Sequence, residues 1–93
     1  MAPADRLIKS AADLVANDRA NTHGDKRKNH QNIAGVWNAY LAIRRDPTAP
    51  LNEIDVAHMM VLLKLARTQL GSFNQDDYTD MVGYAAIAGE LAS

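Results

Sequence analysis

The sequence has no cysteine. Disulfides, thiolate metal sites and cysteine nucleophiles are thereby excluded, and a reducing cytoplasm fits the composition. It also lacks an excess of charge of one sign. Ten basic residues face eleven acidic ones, giving a formal charge of −1 and a pI near 6.2. A nucleic-acid binder normally gathers Lys and Arg into a single field, and here the one basic run, Lys26-Arg27-Lys28, is short enough to be a solvated first turn. Long apolar runs are missing too: none is longer than that from Met59 to Leu63, which is far too short to span a bilayer. The stretch "MAPADRLIKSAADLVA" carries Asp5, Arg6, Lys9 and Asp13 where a secretory leader would need an apolar core. A soluble chain of 93 residues, 47% of them hydrophobic, is expected to form one domain over 1–93. A chain so small buries only about 60 to 65% of its unfolded surface, so further subunits are a natural source of burial.

The apolar residues recur at three and four, and the few Gly and Pro fall between the periodic segments. This spacing predicts an all-α, bundle-like fold of four helices, at about 3–18, 26–43, 53–70 and 75–92. Pro3 suits a first helical turn, with Leu7, Ala11, Leu14 and Val15 on one face. Asp25 is the expected N-cap of the second helix, which buries Ile33, Val36, Trp37 and Tyr40. Asn29 lies on that same stripe, one turn earlier, where a polar side chain must find a structural or ligand partner.

The last two helices open alike, with "LNEIDV" and "FNQDDY". Each has Asn as N-cap, an Asp at the third helical position and an apolar pair bracketing the cap. The third helix is apolar nearly all round, which suits the centre of a bundle or an oligomer interface. Its polar exceptions fall on two faces, Lys64 and Arg67 on one and Asp55 and His58 on the roughly opposite one. His58 is expected at a boundary or interface. On the fourth helix Asp77, Asp80 and Tyr84 share a stripe with Met81, Ile87, Ala88 and Leu91, so the acids point inward.

The short loop of "KLARTQLGSFNQDDYTD" should bring Arg67 and Lys64 toward Asp77 and Asp80. Two readings of this cluster stand. In one it is an internal ion-pair network with Tyr84 as a hydrogen-bond donor. In the other, Asp77 and Asp80 hold Mg²⁺ through their oxygens, while Lys64 and Arg67 take the phosphate oxygens of a nucleotide. The three histidines show no ligand spacing, and "THGDKRKN" reads first as a capped helix start with Gly24 at the turn.

The string "RANTHGDKRKNHQNIAGVWNAYL", followed by "DVAHMMVLLKLART" and "DDYTDMVGYAAIAGE", resembles a family of small phage and prophage proteins filed as a domain of unknown function. The likeness covers the chain from Arg19 onward, carried by His23-Gly24-Asp25, Trp37, Lys64-x-x-Arg67 and Asp77-x-x-Asp80. That family is similar in turn to the nucleotide-modification-associated helical domains of phage genomes, and more distantly to the all-α nucleoside triphosphate pyrophosphatases of MazG and dUTPase type. Those enzymes bind Mg²⁺ with acids from two helices and cleave between the α- and β-phosphates. Asp77-x-x-Asp80 would stand for their later Glu-x-x-Asp half. Their Glu-Glu-x-x-Glu helix has only Asp25 and Asn29 as its counterpart here.

The resemblance therefore implies a phage accessory protein of the bacterial cytoplasm that binds, and can be imagined to hydrolyse, a nucleotide. Asp77, Asp80, Asp25 and Asn29 would surround Mg²⁺, Lys64, Arg67 and His23 would hold phosphate, and Tyr84 and Trp37 would be structural partners. The alternative is a non-enzymatic helical module that binds a host protein or sequesters a nucleotide signal, with the charged cluster as a latch. A homo-oligomer is expected under either reading, from the apolar circumference of the third helix and the small residues of "GYAAIAGELA".

Overall fold

A computed structural model describes residues 2–19 and 25–93, the side chains of 17–19 excepted. Among the described residues there are four helices and no strand: α1 (Pro3–Asp13), α2 (Lys26–Ile43), α3 (Glu53–Arg67) and α4 (Gln75–Ala92). The all-α single domain expected from periodicity is what forms. His23 and Gly24, singled out in the sequence, lie outside the described residues.

Each helix of the bundle starts where its cap chemistry dictates. The Asp25 carboxylate accepts from the N–H groups of Arg27 and Lys28, and Asn52 accepts from Asp55 while Asp55 reaches back to the Asn52 N–H. This reciprocal box satisfies two helix-end donors at once. Asn74 accepts from Asp76, and the residues flanking that cap, Phe73 and Tyr78, stack their rings with centroids 5.9 Å apart. The apolar bracket around the fourth helix start is thus an aromatic pair.

Two boundaries differ from the periodic reading. Beyond Asp13 the chain winds on through Leu14–Arg19 as a wider π-helical stretch. The third helix stops at Arg67, three residues short of the Leu70 end expected from its pattern. There the N–H of Thr68 turns to the Leu65 carbonyl and that of Gln69 to Ala66, a tightening that ends the α-helical ladder. Gly71 then takes φ 72°, open to glycine at little cost, and reverses the chain.

Helix α3 lies at the centre, packed antiparallel against both α2 and α4. The Trp37 indole N–H donates to the Met59 carbonyl at 2.7 Å and fixes the α2–α3 register. Among the described residues the buried apolar ones are few: Ile33, Ala57, Ala66 and Ala88. Val36, Trp37 and Tyr40 are half-buried. On α4 the covered face runs through Asp77, Asp80, Met81, Tyr84 and Ala88, while Ile87 and Leu91 sit off that line and are exposed. Helix α1 buries no residue at all, and Leu7, Ile8, Leu14 and Val15 all face solvent.

Candidate functional site

The short hairpin between α3 and α4 delivers two cations to two acids. Lys64 Nζ lies 3.0 Å from Asp80 Oδ2, and Arg67 Nε lies 3.4 Å from Asp77 Oδ1. The pairs differ in depth. The Asp77 side chain is only 4% exposed, whereas that of Asp80 is 43% exposed at the rim. Asp77 and Asp55 occupy equivalent third positions in their helices, yet only Asp55 closes a capping box. Asp77 is therefore released from the cap and turned inward to Arg67.

The antiparallel register that sets Trp37 on Met59 and Tyr40 on Asp55 carries Asn29, near the start of α2, to the same end of the bundle as Arg67. Asn29 is buried, and its side-chain oxygen has no hydrogen-bond partner among the described residues. An unmet buried acceptor costs about 1–3 kcal/mol. Asp25, one turn earlier, is exposed and spends one carboxylate oxygen on the two N–H groups it caps. Tyr84 is half-buried on the acidic stripe, one turn beyond Asp80. No group of three His, Asp or Glu side chains converges as a ready-made metal cage among the described residues.

A second polar cluster, unforeseen in the sequence, closes the opposite end. Arg44 forms an ion pair with Asp55 at 3.0 Å, each side chain 10% exposed, and donates also to the carbonyls of Ala49 and Pro50. The Tyr40 hydroxyl donates to Asp55 Oδ1 at 2.6 Å and lies 2.9 Å from His58 Nδ1. Because the single hydroxyl proton goes to the carboxylate, the Tyr40 oxygen is left to accept from His58 Nδ1–H. Burial and the Asp55 hydrogen bond push the Tyr40 phenol up to about 12. Asp55 is held below the usual carboxylate range, first by Tyr40, then by the Asn52 N–H and Arg44. The signal was present as Tyr40 and Arg44 one turn apart before the loop and Asp55 and His58 one turn apart after it. This arrangement ties the α2–α3 loop down, and every strong donor in it is already engaged.

A family model described as a domain of unknown function, DUF6378, matches residues 6–92. The chain is 35% identical over 86 residues to the Gene 55 protein of Mycobacterium phage L5, a match covering 91% of this chain and 51% of that protein. It is 32% identical over 85 residues to the Gene 55 protein of Mycobacterium phage D29, covering 91% and 52%. The chain thus spans about half the length of these relatives. No solved structure matches it.

Proposed function

The chain belongs to the DUF6378 family, a phage protein family of unknown function, and on that premise we propose that it binds a nucleotide with Mg²⁺ at the charged end of the bundle. The observation that carries this reading is the buried, unpartnered oxygen of Asn29 at the level of the Arg67–Asp77 pair. A cation or a ligand donor would satisfy it. Mg²⁺ takes oxygen ligands and keeps several waters, so one or two carboxylates with ligand phosphates suffice to hold it. Asp77 and Asp80 supply such carboxylates, Asn29 adds a neutral oxygen from a second helix, and Asp25 stands one turn before it at the rim. Mg²⁺ would supply charge neutralisation for the phosphates. Lys64 and Arg67, now neutralised by the acids, would turn to the phosphate oxygens.

The donor set is thin for two metals, so binding without turnover is the form of the proposal. A nucleotide is the ligand class that a distant likeness of Asp77-x-x-Asp80 to the all-α pyrophosphatases would imply, and the cytoplasm of an infected or lysogenic host would be the place of action. Among the described residues no helix is long and apolar enough to cross a membrane. The test is a thermal-shift screen with nucleoside mono-, di- and triphosphates and cyclic dinucleotides, each with and without Mg²⁺. A ligand at a hundredfold its Kd stabilises by about 2.7 kcal/mol, so a Mg²⁺-dependent shift with one class is expected. Silence from the whole panel would contradict the reading.

One observation favours a second reading, a helical module that docks on a host protein. Phe73, Tyr78 and Val82 are 78%, 50% and 71% exposed around the start of α4, and exposed apolar side chains gathered in one patch mark interaction surfaces. Under this reading the nucleotide screen is silent, and Val82→Asp abolishes binding of a host protein that the parent chain retains.

A further inference from the structure

Helix α1 has an exposed apolar face, and an open groove lies where α2, α3 and α4 meet. The groove, about 470 Å³, is lined by Tyr40, Val61, Leu62, Ala85, Ala88 and Gly89. Its lining is apolar apart from the polar tips of Tyr40 and the neighbouring His58. Gly89 is the informative residue. A Cβ placed on it, as on Gly35 and Gly83, would meet no atom within 4 Å, and of the three only Gly89 lines this groove. Glycine is among the poorest residues for a helix interior, and its bare surface lets another backbone approach closely.

The surface area points the same way. The chain exposes 6668 Å², while a compact monomer of 10.2 kDa exposes about 5,300 Å². The excess, roughly 1,300 Å², is more than the ~800 Å² per partner of a standard stable interface. Part of it lies on α1, where Leu7 and Ile8 are 70% and 67% exposed. The spacings match as well: Leu7, Ala11 and Leu14 span about two helical turns, as do Ala85, Ala88 and Ala92 along the groove.

We propose that two copies of this chain exchange their first helices, with Leu7 and Ala11 of each α1 and Leu14 just beyond its end seated over Gly89 in the groove of the partner. The interface is self-complementary, so it closes as a two-fold dimer. It is independent of the ligand proposed for the charged end, and its test reads assembly alone.

The test uses the full chain at tens of micromolar, with light scattering after size exclusion. The parent protein is expected at twice 10.2 kDa. A Cβ at Gly89 meets no atom of its own chain, and Leu7→Asp with Leu14→Asp changes only solvent-facing residues, so Gly89→Leu and the Leu7→Asp, Leu14→Asp double variant should both keep their helical circular dichroism and run as monomers. Because the sequence has no cysteine, Leu14→Cys chains mixed with Gly89→Cys chains should give a mixed disulfide dimer on oxidation. A monomeric parent protein would overturn the proposal, and so would a dimer indifferent to both variants. A Leu14→Cys, Gly89→Cys double variant that links only within one chain would assign the groove to the chain's own α1 and overturn the exchange.

Discussion

Arg67 and Asp77 face each other across the α3–α4 hairpin, Nε to Oδ1 at 3.4 Å, with the carboxylate side chain almost wholly buried. One turn along, Lys64 and Asp80 repeat the pairing at 3.0 Å with the acid near the surface. The difference in depth separates the consequences of breaking each pair.

Removing Arg67 strands a buried charge. Arg67→Met leaves the Asp77 carboxylate without its cation, a change that costs about 3–5 kcal/mol for a buried pair. At about 4–8 °C per kcal/mol for a small domain, the melting temperature should fall by well over 10 °C. Asp80→Asn breaks a rim pair worth about 0–1 kcal/mol and should leave the melting curve nearly unchanged. Calorimetry on both variants checks the contrast, and equal losses would refute the assignment of depth.

The two glycines Gly71 and Gly83 should respond oppositely to alanine. Gly71 sits at φ 72°, where a Cβ costs about 1–2 kcal/mol, so Gly71→Ala destabilises. Gly83 lies inside α4, and a Cβ added there would meet nothing within 4 Å. Gly83→Ala should therefore stabilise by about 0.5–1 kcal/mol. Urea denaturation reads both signs.

Tyr40 makes an alkaline signature. Its phenol is raised to about 12 by burial and by its bond to Asp55. A raised folded-state value stabilises the fold fully below the ordinary tyrosine value near 10 and loses that contribution as pH climbs through about 12. Tyr40 should ionise late in an ultraviolet titration, and Tyr40→Phe should remove that late step.

Asp55 makes the acid counterpart. Its carboxyl is depressed by Tyr40, the Asn52 N–H and Arg44, against the opposing effect of burial. Such a group stabilises the fold at pH values above the ordinary 3.8 and the contribution is lost as pH falls through the lower folded value. Asp55→Asn should therefore flatten the acid limb of the stability curve while lowering stability at neutral pH. An acid limb unchanged by the variant would contradict the assignment.

Local chemistry explains which features were legible in the sequence. Asp25, Asn52 and Asn74 announce helix starts because a cap is a contact between residues two or three apart. The meeting of Lys64 and Arg67 with Asp80 and Asp77 was legible because a short hairpin leaves its flanking turns little choice. The Tyr40, Arg44, Asp55 and His58 cluster was not, since Tyr40 reads as part of an apolar stripe and Asp55 as a cap. Only the register set by Trp37 and Met59 brings them together. Periodicity likewise reveals that α1 has an apolar face, but not that its own bundle leaves Leu7 and Leu14 uncovered. The early end of α3 lies in the tightened turn at Thr68 and Gln69, which the pattern of apolar residues does not encode.

Calorimetric titration of nucleoside triphosphate into the parent chain and into Asp80→Asn, with and without Mg²⁺, is the measurement to make first. Because Asp80 contributes little to stability, a folded variant isolates its role as a ligand. Mg²⁺-dependent binding in the parent chain that disappears in Asp80→Asn is the expected result. Identical titrations from the two proteins, or no heat from either, would contradict nucleotide binding at the charged end of the bundle.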